Sequence, residues 1–330
     1  MSYMRGEDVN VGFAIEGTRL TAATPQIWIP ARTPSGINVE VAKAMIKETK
    51  GKGVVSQGSE VIGRKAVGDL EFNVRVKSIG YILKSILGKC TTSAEYGSAK
   101  SHLFEVLIGN PEFPTLTAGL AQTGGQHYAY NGNLINSLEI KTPVDDMVNA
   151  TINFEGADEA EHANYSPTFD DEDYMFRPQD ISIKIADNVA GLAVANALKP
   201  TEFAVSIKNS AKIRQTIGSA TPTNNLAGLI EVGGNLKLDY EGKTYHDLYK
   251  AGTYKAMEIR LTRSDIDYGG GVNPEIVITL PKISIEKLGA DRPLDDVVTE
   301  NLEFSAHYDE DEAEAINVVV TNEQTSYVAV

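Results

Sequence analysis

The chain has 330 residues, 42% apolar and 23% charged, which suits two ordinary globular cores and argues against global disorder. Its formal charge is −15, which disfavours a stable nucleic-acid binder, because that affinity comes from Lys and Arg releasing phosphate counterions; a surface that DNA slides past stays open. Cys90 is the only cysteine, so an intrachain disulfide and a multi-cysteine metal site are excluded, and the residue reads as a small packed hydrophobe.

Residues 1–9 are polar, without the apolar core of a signal peptide, and no apolar run approaches the ~20 residues of a membrane span. The expectation is a soluble protein made in a cytoplasm, with no membrane partner. Along the chain, short segments alternate apolar and polar residues. Leu70, Phe72, Val74 and Val76 interleave with polar neighbours, as do Val148, Ala150, Ile152 and Phe154. The pattern recurs at Ile181-Ile183-Ile185, Phe203-Val205-Ile207, Leu236-Leu238-Tyr240, Met257-Ile259-Leu261 and Ile276-Ile278-Leu280. Period two places one face on a core and the other toward solvent or a partner, as in antiparallel sheets.

Two helices interrupt the strands. Ser78 is placed as an N-cap, followed by one apolar stripe of Ile79, Ile82, Leu83, Ile86 and Leu87, with Gly88 at the stop. A shorter helix begins at Thr244, with Tyr245, Leu248 and Tyr249 on one face and Gly252 ending it. Ser78 and Thr244 stand 166 residues apart, and the preceding strand keeps that spacing, pairing Gly68, Leu70 and Phe72 with Gly234, Leu236 and Leu238. Val39 and Val41 pair with Val205 and Ile207 at the same spacing. Later the spacing becomes 150, with Val144-Asp145-Asp146-Met147-Val148 matching Leu294-Asp295-Asp296-Val297-Val298. The first copy therefore carries a longer connection after its helix, including the turn-rich stretch 110–132. Shared order and stable spacing argue for duplication. The fold class expected is mainly β: two tandem antiparallel β-sandwich or barrel domains, each with one flanking α-helix. Their bounds are 1–160 and 176–330, joined by an acidic, solvated linker at 161–175.

The run Val11-Gly12-Phe13-Ala14-Ile15-Glu16-Gly17-Thr18, then Thr24-Pro25 and Trp28-Ile29-Pro30, resembles the opening of the bacteriophage (siphovirus-type) major tail tube protein family. So does Ser56-Gln57-Gly58-Ser59-Glu60-Val61-Ile62-Gly63-Arg64-Lys65 leading into the Gly68 strand and the 79–88 helix. The likeness covers most of residues 11–90; in the second half, 187–199 replaces the Gly-Thr…Trp-Ile-Pro segment. The resemblance implies a non-enzymatic virion protein that stacks as rings around a channel through which DNA leaves. A duplicated subunit implies trimeric rings with six domains. Implied partners are copies of the chain, the tape measure protein, and tail terminator and baseplate or distal tail proteins, with DNA in transient passage. Another self-assembling β-protein, such as a secretion-system tube subunit, is the alternative; a carbohydrate-binding module would need more exposed aromatics than a chain with Trp28 alone supplies.

Two surfaces follow. The loop 43–65 carries Lys43, Lys47, Lys50, Lys52, Arg64 and Lys65 against Glu48 and Glu60. In the resembling family a hairpin here reaches the next ring, and its acidic counterpart is sought in the 155–173 linker or the 309–314 run. The lumen is expected to be lined by polar strand faces, with Glu71, Asn73, Glu139, Asn149, Thr151, Asn153, Thr299, Asn301 and Glu303 as candidates. No cofactor or metal is expected: the five histidines show no ligand spacing, and the acidic runs lack the central Gly and distal Glu of an EF-hand. Gly242-Lys243-Thr244 imitates a phosphate loop, but Lys237 stands where its first Gly belongs.

Overall fold

A computed structural model describes residues 5–33, 36–49, 53–94, 97–109 and 112–329. In chain order, the first half contains β1 (Val9–Ile15), β2 (Ile27–Ile29), β3 (Ala31–Thr33), β4 (Asn38–Met45), β5 (Ser59–Asn73) and α1 (Ser78–Leu87). It continues with β6 (Gly88–Ala94), β7 (Lys100–Val106), β8 (Leu116–Gln122), β9 (His127–Pro143), β10 (Asn149–Gly156) and β11 (Asp158–His162). The second half contains β12 (Ile181–Ala186), β13 (Ala197–Leu198), β14 (Glu202–Asn209), β15 (Lys212–Arg214), β16 (Asn224–Leu226), β17 (Ile230–Asp239) and α2 (Thr244–Ala251). It ends with β18 (Lys255–Thr262), β19 (Glu275–Asp291), β20 (Thr299–Ala306) and β21 (Asn317–Asn322). The ladders between them are antiparallel, as the period-two patterning requires.

Each half repeats one plan. Four strands run side by side in the order β4-β5-β10-β9, and again as β14-β17-β20-β19. The last strand of each set is long and bulged. Asn136 in β9 and Glu286 in β19 are the extra residues, 150 apart. Beyond the bulge, the N-terminal part of β9 leaves for a second layer with β8 and β11, and that of β19 does so with β18 and β21. The layers close on apolar side chains, with Phe13 of β1 edge-on to Phe154 of β10 at 5.9 Å. Phe154 lies so close over Gly68 that a Cβ there would sit 2.1 Å from its ring, and Phe304 covers Gly234 the same way at 2.6 Å. These matched glycines fix the equivalence of β5 and β17 at a spacing of 166.

The ladders correct one sequence alignment. Val39 faces Ala66 and Ile207 faces Val232, so Val39 is equivalent to Ile207, not Val205. The slip is two residues and keeps the face, which alternation alone cannot detect. The longer connection in the first half is also reassigned: it holds the β6–β7 hairpin, while 116–122 and the start of β9 are regular strands. That hairpin does not stay with its own half. β7 pairs with β21 along six residues, and β14 pairs with β9, so the halves share one sheet and one core.

The acidic linker is mostly exposed but is anchored at two buried residues, Tyr165 and Asp173. Tyr165 is buried edge-on to Trp28 and stacks on His162. Asp173 is 3% exposed and accepts the backbone N–H groups of Lys77 (2.6 Å) and Ser78 (3.2 Å) and the Ser78 hydroxyl. Asp173 thereby caps α1, where Ser78 was expected to serve; Lys77 occupies the N-cap position, and Ser78 is the first helical residue. Lys77 reaches on to Asp170 and Glu172. α1 is buried on every side except at Lys84, because β14, β9 and the chain's C-terminal tail all cover it. α2, with the same plan beneath it, has no buried residue.

Candidate functional site

The helices' difference in burial leads to the edges of the sheet. Within the chain, the second half's first strand, β14, pairs with the first half's last strand, β9, placing Ile207 opposite Leu138 and Val205 opposite Ile140. All four side chains are at most 3% exposed. The equivalent strands at the two ends of the eight-strand run, β4 and the 285–291 part of β19, each lack a second neighbour among the described residues. Of the residues equivalent to these four, Val39 and Leu288 are half-buried and Ala290 is exposed, while Ile37 stays buried. An edge of this kind offers unpaired backbone N–H and C=O groups to another chain. Sequence reasoning missed the β19 edge, because an unpaired strand alternates as a paired one does.

The eight strands present one polar face, opposite the core. Glu71, Asn73, Glu139, Asn149, Thr151, Asn153, Thr299, Asn301 and Glu303 all lie on it, since direct cross-strand partners share a face and the ladders link them. Carboxylates on this face outnumber lysines two to one: five lysines, at 65, 141, 208, 237 and 287, stand among ten acids. Four of the five are ion-paired. Lys65 contacts Glu155 (3.0 Å) and Glu40 (3.4 Å), Lys141 Glu139 (3.0 Å), Lys237 Glu202 (3.2 Å) and Lys287 Glu303 (2.7 Å). Desolvation pulls the Lys65 ammonium down, but Glu155 and Glu40 more than offset it and hold it above the ordinary lysine range. The hydrogen bond to Glu303 does the same for Lys287. Exposed pairs such as these add little stability. Their consequence is a face on which all the lysines but Lys208 are already neutralised.

The arm between β4 and β5 is more regular than the sequence implied. Strand pairing continues to Met45 and resumes at Ser59, and the described residues between them, 46–49 and 53–58, form no strand. Lys43, near the end of β4, and Lys47, just beyond it, are exposed, whereas Lys50 and Lys52 lie outside the described residues. Arg64 and Lys65 stand at the arm's base instead, in ion pairs with Asp158 (2.7 Å) and with Glu155 and Glu40. Part of the acidic linker is engaged inside the subunit, with Asp158 on Arg64, Asp170 and Glu172 on Lys77, and Asp173 at the cap of α1. The second half has its own arm, the β15–β16 hairpin, which had no sequence signal. It lies against the first half, with Arg19 donating to Asn224 and to the Asn225 carbonyl (3.1 Å), and the Arg64 N–H donating to the Ala220 carbonyl at 2.9 Å.

Cys90 is half-buried, and burial pushes its thiol above the ordinary range, against the pull of Lys84. Among the described residues no cluster of His, Cys, Asp and Glu is arranged to hold a metal, and no helix is long and apolar enough to cross a membrane.

No curated protein matches the chain. A family model described as phage tail tube protein matches residues 6–306, which takes in both four-strand sets, both helices and both open edges. The chain belongs to the phage tail tube protein family, a structural component of the virion's tail.

Proposed function

We propose that the subunit builds the tail tube by repeating its internal strand junction between molecules. β4 of one copy adds to the 285–291 edge of the next, as β14 adds to β9 within the chain. Transposing that register puts Val39 opposite Leu288, Ile37 opposite Ala290 and Glu40 opposite Lys287. The pairs are apolar, apolar and oppositely charged, as good cross-strand neighbours are. Three copies give six equivalent strand sets and close the sheet, which removes its edges.

In such a ring the polar face lines the bore. Its carboxylate excess and paired lysines deny DNA the many phosphate contacts that would hold it, so the genome passes without sticking. The arm reaches the adjacent ring. The tape measure protein would occupy the bore before ejection, and terminator and distal tail proteins would cap the tube's ends. The chain would be made in the host cytoplasm. The observation that carries this reading is the β9–β14 junction between equivalent strands, with one complementary edge left over at each end. Light scattering and negative-stain microscopy of the purified protein test it. The expected result is rings with the mass of three 35.6-kDa chains that stack into hollow tubes; a monomer at every concentration would overturn it.

A further inference from the structure

The two ends of the eight-strand run differ in chemistry. One end carries the β9–β10 and β19–β20 turns, each with a pair of aspartates. The second aspartate of each pair shapes its own turn: Asp146 accepts the Met147 N–H and Asp296 the Val297 N–H, both at 2.7 Å. The Arg32 guanidinium at 2.6 Å also engages Asp146 and holds its carboxyl below the ordinary range. The first aspartates, Asp145 and Asp295, are exposed and have no hydrogen bond or ion pair among the described residues. Beside them large apolar side chains face outward, with Val144 68%, Leu294 98% and Val297 58% exposed. Between the turns lies a depression of about 440 Å³, lined by Val144 and Asp145 from one turn and Asp296 and Val297 from the other, with Asp239 and the Glu202–Lys237 ion pair on its wall.

The opposite end carries the 46–58 arm. There the exposed apolar residues include Met45 (66%), Val54 (62%) and Val55 (78%), and exposed Lys43 and Lys47 flank them. Each end thus shows apolar surface that water disfavours, framed by an excess of acids at one end and, at the other, by lysines that outnumber Glu48 and Glu60. Neither end suits a copy of itself. They suit each other only when two copies point the same way, which is a head-to-tail contact and extends without limit.

We infer that the twin Asp-Asp turns are the receptor for the arm of a second copy in the adjacent ring. Val54 and Val55 seat in the depression between Val144 and Val297, and the arm's lysines meet Asp145 and Asp295. This rests on the ring reading above and adds the acceptor site and the polarity of stacking. It also gives the paired aspartates separate tasks: the second of each pair shapes the turn and the first recognises the neighbour.

The test is Asp145→Lys with Asp295→Lys, read by light scattering and negative-stain microscopy. The expected result is rings of unchanged mass with loss of the stacked tubes. Adding Lys43→Glu and Lys47→Glu to the same chain restores stacking by exchanging the charges. Tubes of ordinary length from the aspartate variant would overturn the inference, as would loss of the rings themselves, which would put the turns in the lateral contact. Rings that stay unstacked after the charge exchange would overturn it too. If the unaltered chain formed no rings, the ring reading would fail and this inference with it.

Discussion

Tyr327→Ala is expected to cost about 3–5 kcal/mol of subunit stability, measured by denaturant unfolding below the assembly concentration. Tyr327 sits in the tail after β21 yet is 1% exposed. Its ring lies on Gly80 of α1, where a Cβ would come within 2.1 Å, and meets Tyr81, His102 and Phe104 at centroid distances of 5.1, 4.7 and 5.5 Å. Its hydroxyl donates to the Lys77 carbonyl at 2.8 Å and accepts from Asn322 at 2.8 Å. Asn322 also donates to the Val76 carbonyl at 2.8 Å, so the tail of the second half closes over the start of the first half's helix. Truncation would leave a cavity and strand buried polar groups. Tyr327→Phe keeps the packing and loses the hydroxyl, so it should cost less, about 1–3 kcal/mol. Equal costs for the two variants, or a Tyr327→Ala protein within 1 kcal/mol of the unaltered one by this scale, would contradict the packing argument.

Asp173→Ala should cost about 1–3 kcal/mol in the same measurement. The carboxylate satisfies two backbone N–H groups at the N-terminus of α1, the end where the helix dipole favours negative charge. Burial pushes the carboxyl up, while the hydrogen bonds from Ser78 and Lys77 pull it down. Asp171→Ala, two residues earlier and exposed, is the matched control and should change little. An equal loss in both would show that the linker's charge in general, not this cap, is what matters.

The sequence was informative where structure is local and periodic. Alternation located β5, β10, β12, β14 and β17 to β19; the stops at Gly88 and Gly252 are real, with φ of 91° and 61°. Parity grouped the polar residues within each strand, but only the ladders bring all nine onto one face. Parity could not fix register, since a shift of two leaves the pattern unchanged, and so Val39 was matched to the wrong residue. The β6–β7 hairpin escaped notice because its first strand, Gly88–Ala94, is Thr- and Ser-rich and lies at an edge. Asp173 and Tyr327 act on α1 across 95 and 250 residues of chain, and acidity near a proline or an aromatic in a tail carries no trace of such a contact. The basic run 43–65 likewise mixed two roles: Lys43 and Lys47 are exposed near the end of β4 and just beyond it, while Arg64 and Lys65 pair with acids at the arm's base.

A disulfide trap tests the strand junction most directly. Glu40→Cys and Lys287→Cys, placed in one chain with Cys90→Ala, become direct cross-strand partners between neighbouring copies if β4 joins β19 in the transposed register. Such partners have Cβ atoms about 4.5–5.5 Å apart, close enough to bridge with slight adjustment. On mild oxidation of assembled protein, the chains should run as a covalent trimer on a denaturing gel. Asn38→Cys with Lys287→Cys, two residues out of register, should trap far less. Rings that form normally yet leave the first pair unlinked would contradict the account.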